Sequence, residues 1–131
     1  MRPSQPLRLD PDMAHNLVRM AEAGVTVAAG SDAGNIGTLH GPALHQELEP
    51  MVEAGLTPLQ ALGAASRGGA AVMGRSRELG TIEAGRLADM VIPDADPLAD
   101  IRNTSRIHLV VKGGRTHDPA EIECTVLART R

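Results

Sequence analysis

Residues 25–45, VTVAAGSDAGNIGTLHGPALH, decide how this chain is read. Residues 25–29 form a short apolar run of the kind that is buried on both faces as a central parallel strand. The run ends in Gly30-Ser31-Asp32, where a carboxylate leaves the strand as the backbone enters a glycine-punctuated loop. In α/β folds, ligands and catalytic groups gather beyond the carboxyl ends of parallel strands, so Asp32 is the first candidate for chemistry. Its rival role is an N-cap or Asx-turn residue ahead of Gly34, and spacing alone favours that rival. His40 lies on the same loop, and Pro42 opens a helix just beyond it. Gly34 and Gly37 read as loop geometry and form no phosphate-binding pattern.

Working back from this stretch, Asp10 reads as an N-cap with Pro11 at the first helical position. Met13, Leu17, Val18 and Ala21 share one face at helical spacing, and Gly24 is a C-terminal stop. A helix over 11–23 feeding a strand over 25–30 is half of an α/β unit. Residues 1–9, with Pro3 and Pro6, read as an irregular lead-in.

Working forward, Leu44, Leu48, Met51 and Val52 share a face of the helix that starts at Pro42. Pro50 lies inside it, where a proline costs about 3 kcal/mol, so a kink or break near Glu49 is expected. Gly55 ends this helix, and Thr57-Pro58-Leu59-Gln60 is a capping box for the next. That helix is expected to run to about Ser66, to loosen at Gly68-Gly69, and to finish in a short turn before Gly74. Beyond residue 75 the runs become short and glycine-bounded. Residues 80–82, 88–92 and 107–111 are expected strands of a small sheet, the last ahead of a Lys112-Gly113-Gly114 turn. Residues 98–102 suit one helical turn after Asp96-Pro97. The chain therefore divides near residues 74–79.

Composition narrows the function classes. A net charge of −3 with scattered basic residues gives no electrostatic footprint for nucleic acid. No apolar run approaches membrane-spanning length, and MRPSQPLRL lacks the apolar centre of a signal peptide. Cys124 is the single cysteine, which cannot form an internal disulfide; the expectation is a cytoplasmic setting with Cys124 as an inert small hydrophobe. The chain has no Phe, Tyr or Trp, so its core must be built from aliphatic residues and Met. Such a core forgoes the area that each aromatic ring would bury, and the chain is expected to be more stable against other protein, as an oligomer or in a complex, than alone.

Three stretches together resemble the metal-dependent amidohydrolase superfamily, near its imidazolonepropionase-like and Xaa-Pro dipeptidase-like members. They are GVTVAAGSDAG over 24–34 with His40-Gly41 following, EAGLTPLQAL over 53–62 with Ala64-Ala65-Ser66, and LGTIEAGRLADMV over 79–91 continuing to DPLADI over 96–101. The resemblance implies an α/β chain that is the C-terminal part of a (β/α)8 metallo-hydrolase barrel followed by short strands of a small β-sandwich. On that map residues 1–74 hold the eighth barrel strand and its helices, and residues 75–131 hold the C-terminal share of the sandwich.

The same resemblance implies a divalent metal, zinc by first choice, as one or two ions in the complete enzyme. It makes Asp32 a metal ligand and catalytic residue, and His40 a substrate contact or a group behind the metal's ligands; the rival role for His40 is an exposed loop histidine. A metal of this kind lowers the pKa of its bound water from 15.7 to about 7, and a carboxylate beside it can accept that water's proton and pass it to the leaving amine. The substrate would be a small amide, cyclic amide or dipeptide-like molecule. The paired histidines and other ligands of the family would lie before Met1, and no His-x-His occurs in this chain. The expected partner is therefore the missing N-terminal barrel segment or a chain that carries it. The departures from the family pattern are Pro50, Pro93 and Arg67-Gly68-Gly69. The alternative is a non-catalytic remnant or subunit folding against such a partner; a free-standing binding module is the third possibility. His45 and Glu47 read as solvated surface, His15, His108 and His117 as structural or exposed, and Asp89 as a turn-fixing residue.

Overall fold

The computed structural model describes residues 10–34 and 40–129. The first helix, α1, spans Pro11–Glu22. The Asp10 carboxylate accepts the Asp12 N–H at 2.8 Å, and Pro11 occupies a position whose N–H would have no helical partner. Gly24, at φ 77°, turns the chain out of the helix. Leu17, Val18 and Ala21 pack towards the core, whereas Met13 is 67% exposed.

Residues 25–30 run extended, but they pair with no strand among the described residues. A parallel strand takes its ladder from neighbours a dozen or more residues away, and the described residues supply none. Within 26–30 the one backbone N–H bond among the described residues is Ala29 N–H to the Ala64 carbonyl, at 3.2 Å.

The second helix, α2, spans Ala43–Glu53 and is continuous through Pro50, contrary to the kink or break expected near Glu49. Proline forfeits one helical hydrogen bond there, while Leu48 and Met51 on either side are both buried and hold the turn against the core. Gly55 ends the helix at φ 114°. Thr57 then builds a complete capping box: its hydroxyl accepts the Gln60 N–H at 3.2 Å, and Gln60 Oε1 accepts the Thr57 N–H at 2.8 Å. From this cap run α3 (Pro58–Gly63), a π-helical turn (Ala64–Gly68) and α4 (Gly69–Val72) without interruption. The helix thus passes the expected end at Ser66, and the expected loosening at Gly68-Gly69 takes the form of the π turn.

The C-terminal half is an antiparallel meander in the order β1 (Met90–Pro93), β2 (Ile107–Lys112), β3 (Arg115–His117). Val91 stands opposite Val110, and the register shifts between Ile92 and Pro93. Two of the expected strands are present. Residues 80–82 are not a strand, since Gly80 sits at φ 95° and Ile82 is 85% exposed, so no apolar face is buried there. The third strand follows a turn in which Gly113 and Gly114 have φ of 57° and 77°, the pair of left-handed residues that a tight two-residue hairpin requires.

The expected helical turn over 98–102 lies three residues later, as a 3-10 turn over Ile101–Ser105. The Asp100 carboxylate caps it by accepting the Arg102 N–H at 3.0 Å. A final helix, α5 (Pro119–Arg129), was not anticipated; the Asp118 carboxylate accepts the Ala120 N–H at 2.8 Å at its start.

The core gathers Leu48, Met51, Leu56, Ala61, Ala64 and Ile101. Ile101, only 6% exposed, brings the C-terminal half into the packing of α2 and α3. The core contains no aromatic ring because the chain has none.

Candidate functional site

Asp32 lies two residues beyond the extended segment, exposed to solvent. Its backbone is left-handed at φ 46°, and it is the one non-glycine residue with positive φ among those described. A Cβ-bearing residue there is strained, although Asp tolerates the region better than most. Such strain clusters at functional sites.

His40, on the far side of residues outside the described ones, lies against Gly34. A Cβ built on Gly34 would stand 3.4 Å from His40 Nε2, so the imidazole lies over Gly34, two residues past Asp32. Gly34 itself has φ 109°, a conformation that favours glycine. Gly37 and residues 1–9 fall outside the described residues. Asp32 and His40, both singled out in the sequence, thus stand respectively two residues before Gly34 and against it.

A second feature was missed. A cleft of about 510 Å³ opens between α2, the helical stretch after Thr57 and β1, walled by Leu44, Leu48, Leu62, Leu87 and Met90 among others. His45 Nδ1 and Thr81 Oγ1, both on its lining, are buried and have no hydrogen-bond partner among the described residues. His45 is thus half-buried, not the solvated residue expected, because α2 turns it towards the cleft. Glu47 is also half-buried. Neither Asp32 nor His40 lines this cleft. The sequence signal for it was weak: a single histidine beside an apolar position of a helix.

The other polar groups are structurally committed. Asp89 pairs with the Lys112 ammonium, and its Oδ1 accepts the Gly113 N–H at 2.7 Å. The ammonium first, and then that N–H, hold its carboxyl below the usual range. This is the turn-fixing role expected of it. His108 Nδ1 lies 3.0 Å from the Asp94 carboxylate, and His15, His108 and His117 are all exposed. Cys124 is free and exposed.

Among the described residues, no group of three or more His, Cys, Asp or Glu side chains is close enough to hold a metal ion. Asp32 offers one carboxylate, where a catalytic zinc takes three protein ligands. The described residues therefore do not by themselves fit a resident metal. No helix among them is long and apolar enough to cross a membrane.

Residues 3–117 match the model of the amidohydrolase family. The chain belongs to that family. It is 43% identical over 75 residues to an imidazolonepropionase of Symbiobacterium thermophilum, a match covering 56% of this chain and 17% of that protein. Among solved structures, molinate hydrolase superposes with a TM-score of 0.70 at 35% identity, over 79% of this chain and 26% of that one. A Xaa-Pro dipeptidase with bound methionine in its active site gives a TM-score of 0.72 at 30% identity, over 82% and 26%. The amidohydrolase chain thus spans about a sixth of its curated relative and about a quarter of these solved neighbours. Its α/β fold is a fragment of the barrel-type architecture of that family, with a three-stranded antiparallel sheet.

Proposed function

We propose that this amidohydrolase chain is the C-terminal portion of a hydrolase that cleaves a C–N bond in a small amide, cyclic amide or dipeptide-like substrate. Residues 1–74 would supply the last barrel strand and its helices, and residues 75–131 the C-terminal share of the sandwich. The observation that carries the reading is the position of Asp32, left-handed in its backbone, beyond an extended segment, with His40 against Gly34. Aspartate also adopts this region in ordinary turns; what favours the catalytic role is its place just past the end of the extended segment in a chain of this family.

In this role the Asp32 carboxylate accepts a proton from the attacking water and later delivers it to the leaving amine. His40, at the loop's far end, contacts the substrate. The remaining ligands for a divalent metal, zinc by first choice, would come from barrel strands outside this chain, and so would most of the specificity pocket. The setting in which these parts meet is taken to be cytoplasmic.

A second reading is favoured by the unpaired segment 25–30: a subunit or remnant that folds only against a partner carrying the missing strands. The second reading, being non-catalytic, makes no demand on Asp32, whereas the first makes one in the assembly that turns substrate over. There, Asp32→Asn keeps the shape and removes the proton acceptor, and turnover should fall by about 10²–10⁴-fold with the unfolding midpoint held. Near-normal turnover with a lowered midpoint would show a turn residue instead. His40→Ala, measured alongside, should raise KM more than it lowers kcat.

A further inference from the structure

We propose that the π turn Ala64–Gly68, and Gly68 above all, is the device that positions Asp32, an inference that rests on the catalytic reading of that carboxylate. The segment 25–30 that presents Asp32 has no strand neighbour among the described residues, so within them its placement falls to the helix behind it, whatever barrel strands outside the chain add in the assembly. Two contacts make that placement. The Ala29 N–H donates to the Ala64 carbonyl at 3.2 Å. At the other end of the π turn, Gly68 comes so close to the segment that a Cβ on it would lie 2.0 Å from the Val27 carbonyl oxygen and 3.0 Å from Ala28 Cα. Both neighbours are backbone, so no side chain can swing aside.

The π turn makes the two contacts possible together. Widening the helix by one residue loosens the register in which carbonyls and amides pair. The Ala64 carbonyl accepts the Gly69 N–H across that wider turn and still reaches Ala29. The opposite side of the turn is also pressed. A Cβ on Gly80 would meet Ala70 Cβ at 2.9 Å, Arg67 Cα at 3.0 Å and the Ser66 carbonyl oxygen at 3.1 Å. The turn is therefore clamped between the Asp32 segment and the Gly80 bend, and it cannot recede if something pushes on the segment.

Gly68 has ordinary helical angles, φ −61° and ψ −48°, so what excludes a side chain there is space alone. The adjacent Gly69, also helical, has nothing within 4 Å of its would-be Cβ. These neighbours form a matched pair: one methyl at 68 must displace residues 27–28, and the same methyl at 69 enters open space.

The test uses the full chain and, for turnover, the assembly in which it is active. In the unsubstituted chain the Ala29 amide should exchange with deuterated solvent at least tenfold more slowly than those of Thr26 and Ala28. Gly68→Ala should erase that protection and lower kcat at least tenfold with KM little changed, below the unfolding midpoint. Gly69→Ala should change neither. Free exchange at Ala29 in the unsubstituted chain would overturn the proposal without any variant. So would intact protection in Gly68→Ala, or equal losses in the two alanine variants. Full turnover in Gly68→Ala alongside crippled Asp32→Asn would break the link between contact and carboxylate. Full turnover in Asp32→Asn would sink the functional reading instead, with the exchange contrast still deciding whether the contact exists.

Discussion

The two halves of this chain satisfy their backbones in different ways. In the meander, β1, β2 and β3 find their partners within 30 residues of one another, and the turn between β2 and β3 is fixed by two left-handed glycines and the Asp89 carboxylate. In the N-terminal half, the extended segment 25–30 borrows one helical carbonyl and packs Val27 and Ala29 on the core, but pairs with no strand among the described residues. A region whose hydrogen bonds close locally can be complete in a short chain; one that needs a parallel neighbour cannot. The candidate catalytic residue sits on the incomplete half. That matches an enzyme architecture in which the active residues converge from several strands.

The sharpest way to break this contrast is to cut a buried side chain that joins the halves in the core. Ile101→Ala should destabilise the chain by about 2–5 kcal/mol, as large-to-small core changes do, and it should expose amides of α2 as well as those near residue 101. A loss confined to the C-terminal half, measured by denaturant titration with amide exchange, would mean that the halves fold independently. A smaller effect is expected at the cap of the long helix. Thr57→Ala removes the hydroxyl that accepts the Gln60 N–H and should cost about 1 kcal/mol, with exchange rising in residues 58–63 and the meander unaffected. Equal loss in the meander would contradict the contrast.

The smallest effect is electrostatic. Arg86 holds Glu83 below its ordinary value, Lys112 does the same for Asp89, and Arg102 for Asp100. In the acid range the unfolded chain therefore binds more protons than the folded one, so stability rises with pH there. Their contribution should be complete above about pH 5 and fade as pH drops through about 4 towards the lower folded values. Asp89→Asn keeps an acceptor for Gly113 and loses the pairing with Lys112. It should make the acid limb of the midpoint-against-pH curve slightly shallower, and added salt should shrink the difference. A steeper limb would reverse the assignment.

Much of this was legible in the residues, wherever a local rule carried the information. Asp10-Pro11, the Thr57 to Gln60 box and Gly113-Gly114 each announce an end or a turn, and each stands where it was read. Asp118-Pro119 carries the same signal as Asp10-Pro11 and could have revealed α5. Asp32 was singled out at the end of the apolar run and His40 beyond it, with roles implied by the family resemblance; the structure adds the left-handed backbone at Asp32 and the imidazole against Gly34. The π turn was illegible, because it depends on how near the segment 25–30 comes, and no local pattern encodes that distance. Pro50 misled for a similar reason: buried Leu48 and Met51 outweigh one missing hydrogen bond.

The helix from Pro58 to Val72 has one more consequence. Its buried residues are Ala61, Ala64, Gly68 and Ala70, with no large side chain among them, and it lies between the Asp32 segment and the Gly80 bend as a thin shim. Mutation should therefore injure the two helical elements by opposite routes. In α2, where Leu48 and Met51 fill space, harm comes from making residues smaller. In the shim there is almost nothing left to remove, and harm comes from making residues larger. A chain drifting under relaxed selection would lose α2 by erosion and this helix by swelling.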